Sequence, residues 1–247
     1  MCIRDSIKGT NQIESEHPYP AIVGINEKAA ILHYRRKRSD VKNGKLLLLD
    51  AGAKVHGYSS DITRTTITDD APEELRELHK KMEKLQLDLC GEVKADIACR
   101  EYLYKSQKAV SQILLDMGFL QNTTPEEAVD KRYLRCFYPH GLSHMLGIQT
   151  HDVAGKQPSR FAENNLQKAS GGIQNRNQRI LGENNIITIE PGVYFNPVLM
   201  EPMRSNATNF NWSLIDKLMP YGGIRIEDNV VVKTQNSENL TRPYLPK

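Results

Sequence analysis

No apolar run in the chain approaches the ~20 residues that a membrane-crossing helix needs. No apolar core of a secretory leader stands near its start, so no membrane partner and a cytoplasmic location are expected. Cysteine is scarce: Cys2, Cys90, Cys99 and Cys136 are the only four in 247 residues, and no two form a CxxC pair. That excludes a cysteine-rich disulfide scaffold or a zinc ribbon and predicts free thiols, with Cys90, Cys99 and Cys136 candidates for burial. An excess of one charge is also missing, with 33 basic against 30 acidic residues and a formal net charge of +3. The chain therefore lacks the electrostatic footprint of a nucleic-acid-binding protein. Its one basic run, Arg35-Arg36-Lys37-Arg38, reads as a solvated loop.

What is present begins with four leucines, Leu46 to Leu49, running into Asp50-Ala51-Gly52, and a second aspartate, Asp61, eleven residues after the first. Four leucines with a small-residue exit predict a buried strand, and a carboxylate at its end is costly to bury without a cation. Ile62 to Ile67 alternates as a partner strand, so both aspartates can face one ion. Upstream, Ala21 to Gly24 and Ala29 to Tyr34 read as two short strands around a polar turn. Pro72-Glu73-Glu74 opens a helix whose apolar face is Leu75, Leu78, Met82, Leu85 and Leu89, broken at Gly91. A second helix is expected from about Asp96 to Met117, ended by Gly118, and a short third one from Thr124-Pro125-Glu126-Glu127. Gly155 to Gly182 reads as a polar surface loop. Ile186 to Ile189 is a strand leading to Glu190-Pro191-Gly192, a helical piece lies around Trp212 to Leu218, and Val230 to Val232 is expected as the last strand. Strand pairs, then helices, then more strands argue an α+β fold with helices packed on an antiparallel sheet.

Asp50, Asp61, His144, Glu190 and Glu227 share a setting, each at a strand end or in a glycine-flanked stretch among apolar neighbours. Together they describe an oxygen-rich site with one imidazole. Such a donor set suits Mn²⁺, Mg²⁺ or Fe²⁺, and the imidazole adds Zn²⁺ and Co²⁺. A structural zinc site would use more Cys and His.

The same residues carry a resemblance. Asp50 with Asp61, His140-Gly141-Leu142-Ser143-His144, His151-Asp152, Glu190-Pro191-Gly192 and Gly223-Ile224-Arg225-Ile226-Glu227-Asp228 resemble the catalytic domain of the pita-bread metallopeptidases, a family of methionine aminopeptidases, aminopeptidases P and prolidases. Asn26 to Tyr34, His151 to Gly155 and Phe210-Asn211-Trp212 bring it nearest to the bacterial prolidase branch, the Xaa-Pro dipeptidases. The resemblance implies the pita-bread fold and two divalent ions, Mn²⁺ first and Co²⁺ or Zn²⁺ as alternatives. Asp50 would bind one ion, His144 and Glu190 the other, and Asp61 and Glu227 both. It implies hydrolysis of Xaa-Pro dipeptides by a hydroxide bridging the ions, with Glu190 taking its proton and His33 and His151 holding the substrate carbonyl or the oxyanion. Arg176 would grip the free carboxylate of the dipeptide. His140 and Arg225 would orient substrate or brace ligands, Arg225 otherwise neutralising Glu227 or Asp228. Tyr19 stands where the family has an active-site tyrosine.

The resemblance covers residues 19–247, read as a partial catalytic domain. Residues 1–18 are an unmatched lead-in, and the family's N-terminal domain is expected to be absent from this sequence. A small dipeptide substrate and a homodimer of the full-length form are the implied partners. The alternatives are removal of the first residue from longer X-Pro peptides, as in aminopeptidase P, or an inactive fragment.

Overall fold

The computed structural model describes residues 8–36, 44–156 and 177–245. Strand β1 (Ile22–Ile25) pairs antiparallel with β2 (Leu46–Ala51). After β2 comes a small hairpin, β3 (Lys54–Val55) and β4 (Tyr58–Ser59), turned by His56 and Gly57 with φ of 50° and 83°. Positive φ at both central residues gives a turn whose twist matches its strands. Strand β5 (Ile62–Ile67) then returns along β2, completing a sheet of order β1-β2-β5. Along β2, Leu46, Leu48 and Asp50 are buried while Leu47 and Leu49 are partly exposed, so the period of two puts Asp50 on the core face. Gly52 lets the chain turn there, since a Cβ on it would stand 2.0 Å from the carbonyl oxygen of Ser60, next to Asp61.

The second strand expected at Ala29 to Tyr34 does not form. Asn26–Ala30 is a 3-10 turn that doubles back over β1, and a Cβ on Gly24 would lie 2.8 Å from the Ala29 backbone. Two small side chains, Ala29 and Ala30, bury in that close approach, and β1 takes β2 as its partner instead.

Helix α1 (Glu73–Glu92) follows directly after Pro72 and runs through Gly91 rather than breaking there. It buries Leu75, Leu78, Met82 and Leu89, with Leu85 packed against the same core. Helix α2 (Cys99–Asp116) starts later than about Asp96, because Asp96 holds φ 67°, outside the helical region. Gly118 at φ 76° stops it as expected. Helix α3 (Pro125–Asp130) opens on a capping box in which Thr124 and Glu127 satisfy each other's backbone N–H. Strands β6 (Ile186–Ile189) and β7 (Gly192–Tyr194) flank Glu190, and short helices α4 (Pro197–Met200) and α5 (Trp212–Leu218) follow. The chain closes with β8 (Gly223–Arg225), β9 (Asp228–Val231) and β10 (Glu238–Asn239), one strand beyond the expected last. A second sheet has order β10-β9-β6, and β7 pairs with β8. A bridge between Thr63 and Glu227 stitches the first sheet to the β8–β9 junction. This is the α+β architecture the sequence predicts.

Phe119, Phe137, Phe195 and Phe210 gather with Tyr138 and Tyr194 in one buried cluster, and Leu89, Leu103, Ile187 and Val230 anchor another. Each such side chain contributes roughly 1.5–3 kcal/mol by leaving water. Most of Gly155 to Gly182 lies outside the described residues. No helix among the described residues is long and apolar enough to cross a membrane.

Cys90, Cys99 and Cys136 are buried free thiols, as expected. Burial pushes the thiols of Cys99 and Cys136 up to about 12 and that of Cys90 higher still, so almost no thiolate exists at neutral pH. Iodoacetamide at pH ~7.5 is therefore expected to leave all three unmodified in the native chain and to label them in ~6 M guanidinium. Mass spectrometry counts the adducts, and fast native labelling of any of the three would contradict their burial.

Candidate metal centre

The β2–β5 register places Asp50 beside Thr63, and Asp61 sits one residue before β5 begins. Glu227 comes to the same point from the β8–β9 junction, its backbone N–H donating to the Thr63 carbonyl (3.0 Å). Glu190 arrives at the end of β6, where its N–H bonds the Leu142 carbonyl (2.9 Å). His144 is fixed by exchange with Thr188, whose N–H donates to the His144 carbonyl and whose hydroxyl accepts from the His144 N–H, both at 3.1 Å. All five side chains thus line one cavity of about 350 Å³, although Asp50 and Glu227 lie 177 positions apart in sequence.

His144 Nε2 stands 3.5 Å from Asp61, 3.6 Å from Glu190 and 4.0 Å from Glu227. Its Nδ1 lies 3.1 Å from the Met145 carbonyl, which can only accept, so Nδ1 carries the proton and the Nε2 lone pair is available to a metal. Asp61, His144 and Glu227 each offer a ligand atom within 4.8 Å of the others. Only 2–7% of Asp50, Asp61, His144 and Glu227 is exposed.

The electrostatics show a cluster short of positive charge. Burial holds the Glu227 carboxyl well above the usual carboxylate range, and the charges of Asp61, Glu190 and Asp50 push it further. Burial raises Glu190 to about 7 against the pull of His144 and Arg225. Asp50 is raised by burial even though Arg225 donates to its Oδ2 (2.5 Å), and its Oδ1 is buried with no hydrogen-bond partner. Burial opposes the charge on His144, yet Asp61 and Glu190, which face Nε2, raise it by favouring a second proton there, at the position a cation would take. Four carboxylates drawn together with one neutral-capable imidazole and an orphaned carboxylate oxygen are the donor chemistry of a divalent-cation site.

His33 and His151 lie on the cavity wall, the His151 ring edge-on to His144 with centroids 4.5 Å apart. His140 Nδ1 donates to the Gly141 carbonyl (2.8 Å), which leaves Nε2 to accept from the Tyr194 hydroxyl (2.8 Å). Tyr194 in turn accepts from Arg225 (3.0 Å). Arg225 is paired directly with Asp50, its charge also favours the Glu227 carboxylate, and Asp228 is paired instead with Arg64 and Arg242. Tyr19 donates its hydroxyl to Asp61 Oδ1 (2.5 Å). Arg176 lies outside the described residues.

Three further residues build the centre. The buried Thr63 hydroxyl donates to Glu227 Oε2 (2.6 Å) and accepts from Arg225 Nε (3.2 Å). Tyr194 links Arg225 to His140. Arg64 donates to the Glu227 carbonyl (2.7 Å) and to the Thr63 carbonyl (2.8 Å) while pairing with Asp228. A sequence signal for Thr63 was available, since it lies two residues after Asp61 on an alternating strand. For Tyr194 and Arg64 none was.

Comparison with known proteins gives one pattern. The model of the metallopeptidase family M24 matches residues 4–234. The chain is similar to the Xaa-Pro dipeptidase of Marinobacter nauticus, 41% identical over 245 residues, covering 95% of this chain and 53% of that protein. The Xaa-Pro dipeptidase of Actinobacillus pleuropneumoniae is 36% identical, covering 96% and 53%. Among solved structures, proline aminopeptidase P II from Yersinia pestis superposes with a TM-score of 0.74 at 26% identity, covering 98% of this chain and 49% of that one. Zinc-substituted Escherichia coli aminopeptidase P in complex with product gives 0.72 at 28%, covering 95% and 46%. The chain spans about half the length of the curated relatives it matches.

Proposed function

The chain belongs to metallopeptidase family M24, and from that premise we propose that it hydrolyses Xaa-Pro dipeptides at a centre of two divalent ions held by Asp50, Asp61, His144, Glu190 and Glu227. The observation that carries the reading is the convergence of those five side chains on one cavity in a chain 41% identical to an Xaa-Pro dipeptidase. The donor set is oxygen-rich with one imidazole, so Mn²⁺ is the first choice and Co²⁺ or Zn²⁺ the alternatives. When bound, such ions polarise a scissile carbonyl and make water acidic enough to attack at neutral pH.

The remaining steps fall to the protein. Glu190, on the cavity wall at the end of β6, would take a proton from the attacking water and return it to the leaving amine. His33 and His151, on the same wall, supply donors to the substrate carbonyl as negative charge develops on it. The chain Arg225–Tyr194–His140 keeps His140 facing the cavity with Nδ1 3.8 Å from Glu190. An X-Pro bond has no amide N–H, and the apolar Leu32 and Pro139 on the wall beside His140 suit a pyrrolidine ring. Arg176 is assigned to the substrate carboxylate on the resemblance alone.

A second reading, release of the first residue from longer X-Pro peptides, has its support in the aminopeptidase P structures that superpose on the chain. Turnover of Gly-Pro against Gly-Pro-Ala after Mn²⁺ loading separates them. We expect Gly-Pro to be cleaved at least ~10-fold faster in kcat/KM, a difference of about 1.4 kcal/mol in transition-state binding. The reverse order would assign the longer peptide, and no turnover of either would end the dipeptidase reading.

A further inference from the structure

The cavity has a second lobe of about 530 Å³ that shares His33, Asp50, Asp61 and His151 with the first and reaches outward past Tyr19 and Ile148. Building on the dipeptidase reading, we infer that this lobe holds the side chain of the first residue and that Arg35 and Lys54 make it select an acidic one.

The division between lobes follows from size. Proline is the fixed part of an Xaa-Pro substrate and needs little room, whereas the first residue varies and needs more. The smaller lobe offers Leu32, Pro139 and Gly141 beside His140, and the larger offers Pro18, Pro20, Ile22 and Ile148 as an apolar floor with polar Gln149 and Thr150. The four shared residues mark where the scissile bond would cross.

The charge argument follows from what is already committed. Among the described residues the only acids on the larger lobe are Asp50 and Asp61. Asp50 is paired with Arg225, and Asp61 accepts from Tyr19 and faces His144. Arg35 and Lys54 line the same lobe, and among the described residues neither side chain is held in an ion pair. The Lys54 backbone exchanges hydrogen bonds with the Gln12 amide, which holds the residue at the lobe wall. Arg35 belongs to the basic run that reads as a plain solvated loop, but its first residue is a wall of the cavity. Among the described residues two cations outside any ion pair stand beside acids that face Arg225 and the metal centre, which favours a carboxylate on the ligand, and the apolar floor suits the methylenes that carry it.

The test compares Glu-Pro with Gln-Pro, which differ in charge and hardly in shape, in the Mn²⁺-loaded full chain. We expect kcat/KM to favour Glu-Pro by about five- to tenfold at low salt and the ratio to shrink toward one in ~0.5 M NaCl. In R35Q/K54M the ratio should fall to about one, and in K54E it should invert. Melting temperatures close to wild type would show that these surface changes leave the fold intact. If the wild type does not prefer Glu-Pro, or R35Q/K54M keeps the preference, the inference is wrong. If both dipeptides lose equally and the ratio stays unchanged, the cations hold the carboxylate common to all dipeptides and the assignment also fails. Absence of turnover of either dipeptide by wild type counts against the dipeptidase reading, not this one. In that case calorimetric binding of the same two peptides to the metal-free chain decides, with the same ratios expected.

Discussion

Glu227→Gln is expected to abolish both metal-dependent stabilisation and peptide hydrolysis while leaving the metal-free chain at least as stable as wild type. Glu227 is the most enclosed carboxylate of the centre, 2% exposed, with Oε2 accepting from Thr63 and Oε1 4.0 Å from His144. Its charge is unfavourable without a cation, because burial and the neighbouring carboxylates all oppose it. An amide of the same shape removes that cost and keeps the acceptor for Thr63. What it cannot do is balance a divalent ion. Wild type at 100 times the dissociation constant of Mn²⁺ should gain about 2.7 kcal/mol, which is roughly 5–11 °C in melting temperature for a domain of this size. The variant should gain less than ~2 °C on that scale, and its kcat/KM for Gly-Pro should drop at least ~10³-fold, about 4 kcal/mol. Thermal melts with and without Mn²⁺ read the first effect independently of activity. A variant that keeps the full metal-induced shift would remove Glu227 from the centre.

How much of this could be read from the residues depends on the range of the interaction. The Leu46–Asp50 strand announces itself, because four leucines need a core and a carboxylate at their end needs a counter-charge. The helix from Glu73 was equally plain, since Leu75, Leu78, Met82 and Leu89 repeat at helical spacing and Pro72 marks its start. Ala29 to Tyr34 misled. A short run of small and apolar residues has no distinctive period, and only the close approach of Ala29 to Gly24 shows that it is wrapped over β1 and not paired beside it. Within the centre, acids and histidines stood out because their chemistry is unusual among apolar neighbours. Tyr194 did not, since it is an ordinary strand former whose partner lies 54 positions away, and the alternation that marks Thr63 gives no hint of Glu227, 164 positions on. Arg225 was visible but its partner was not. Asp228 is nearer in sequence, yet β8 and β9 meet the first sheet so that Arg225 reaches Asp50 and Asp228 turns toward Arg64 and Arg242.

That turn underlies the second large effect, the loss of stability expected from Asp228→Ala. Asp228 is fully buried and accepts from Arg64, from Arg242 Nε (2.8 Å) and from Asn239 (2.9 Å). Arg242 continues to Glu83 (3.2 Å) and Gln86 (2.9 Å) of α1, so one carboxylate joins β5, β9, the C-terminal turn and a helix. Removing it leaves two guanidinium groups, each about a quarter exposed, facing an apolar gap. Breaking a buried pair from one side costs about 3–5 kcal/mol, or roughly 6–20 °C in melting temperature at this chain length. Asp228→Asn, which keeps the acceptor and loses the charge, should fall between wild type and Ala. The pH dependence has a fixed sign. Burial alone would raise this carboxyl, but the hydrogen bond from Arg242 and the charge of Arg64 hold it below the usual carboxylate range. Its contribution is therefore complete above the unfolded value near pH 4 and is lost as pH falls through the lowered one. The gap between wild type and Asp228→Ala in urea midpoints should be widest at neutral pH and close on acidification. Because Arg64 also holds the Glu227 carbonyl, the same variant should bind Mn²⁺ more weakly even at temperatures where it remains folded. An Asp228→Ala chain within about 1 kcal/mol of wild type at pH 7 would mean that the two arginines find water in place of the lost carboxylate, and that the centre does not depend on this pair.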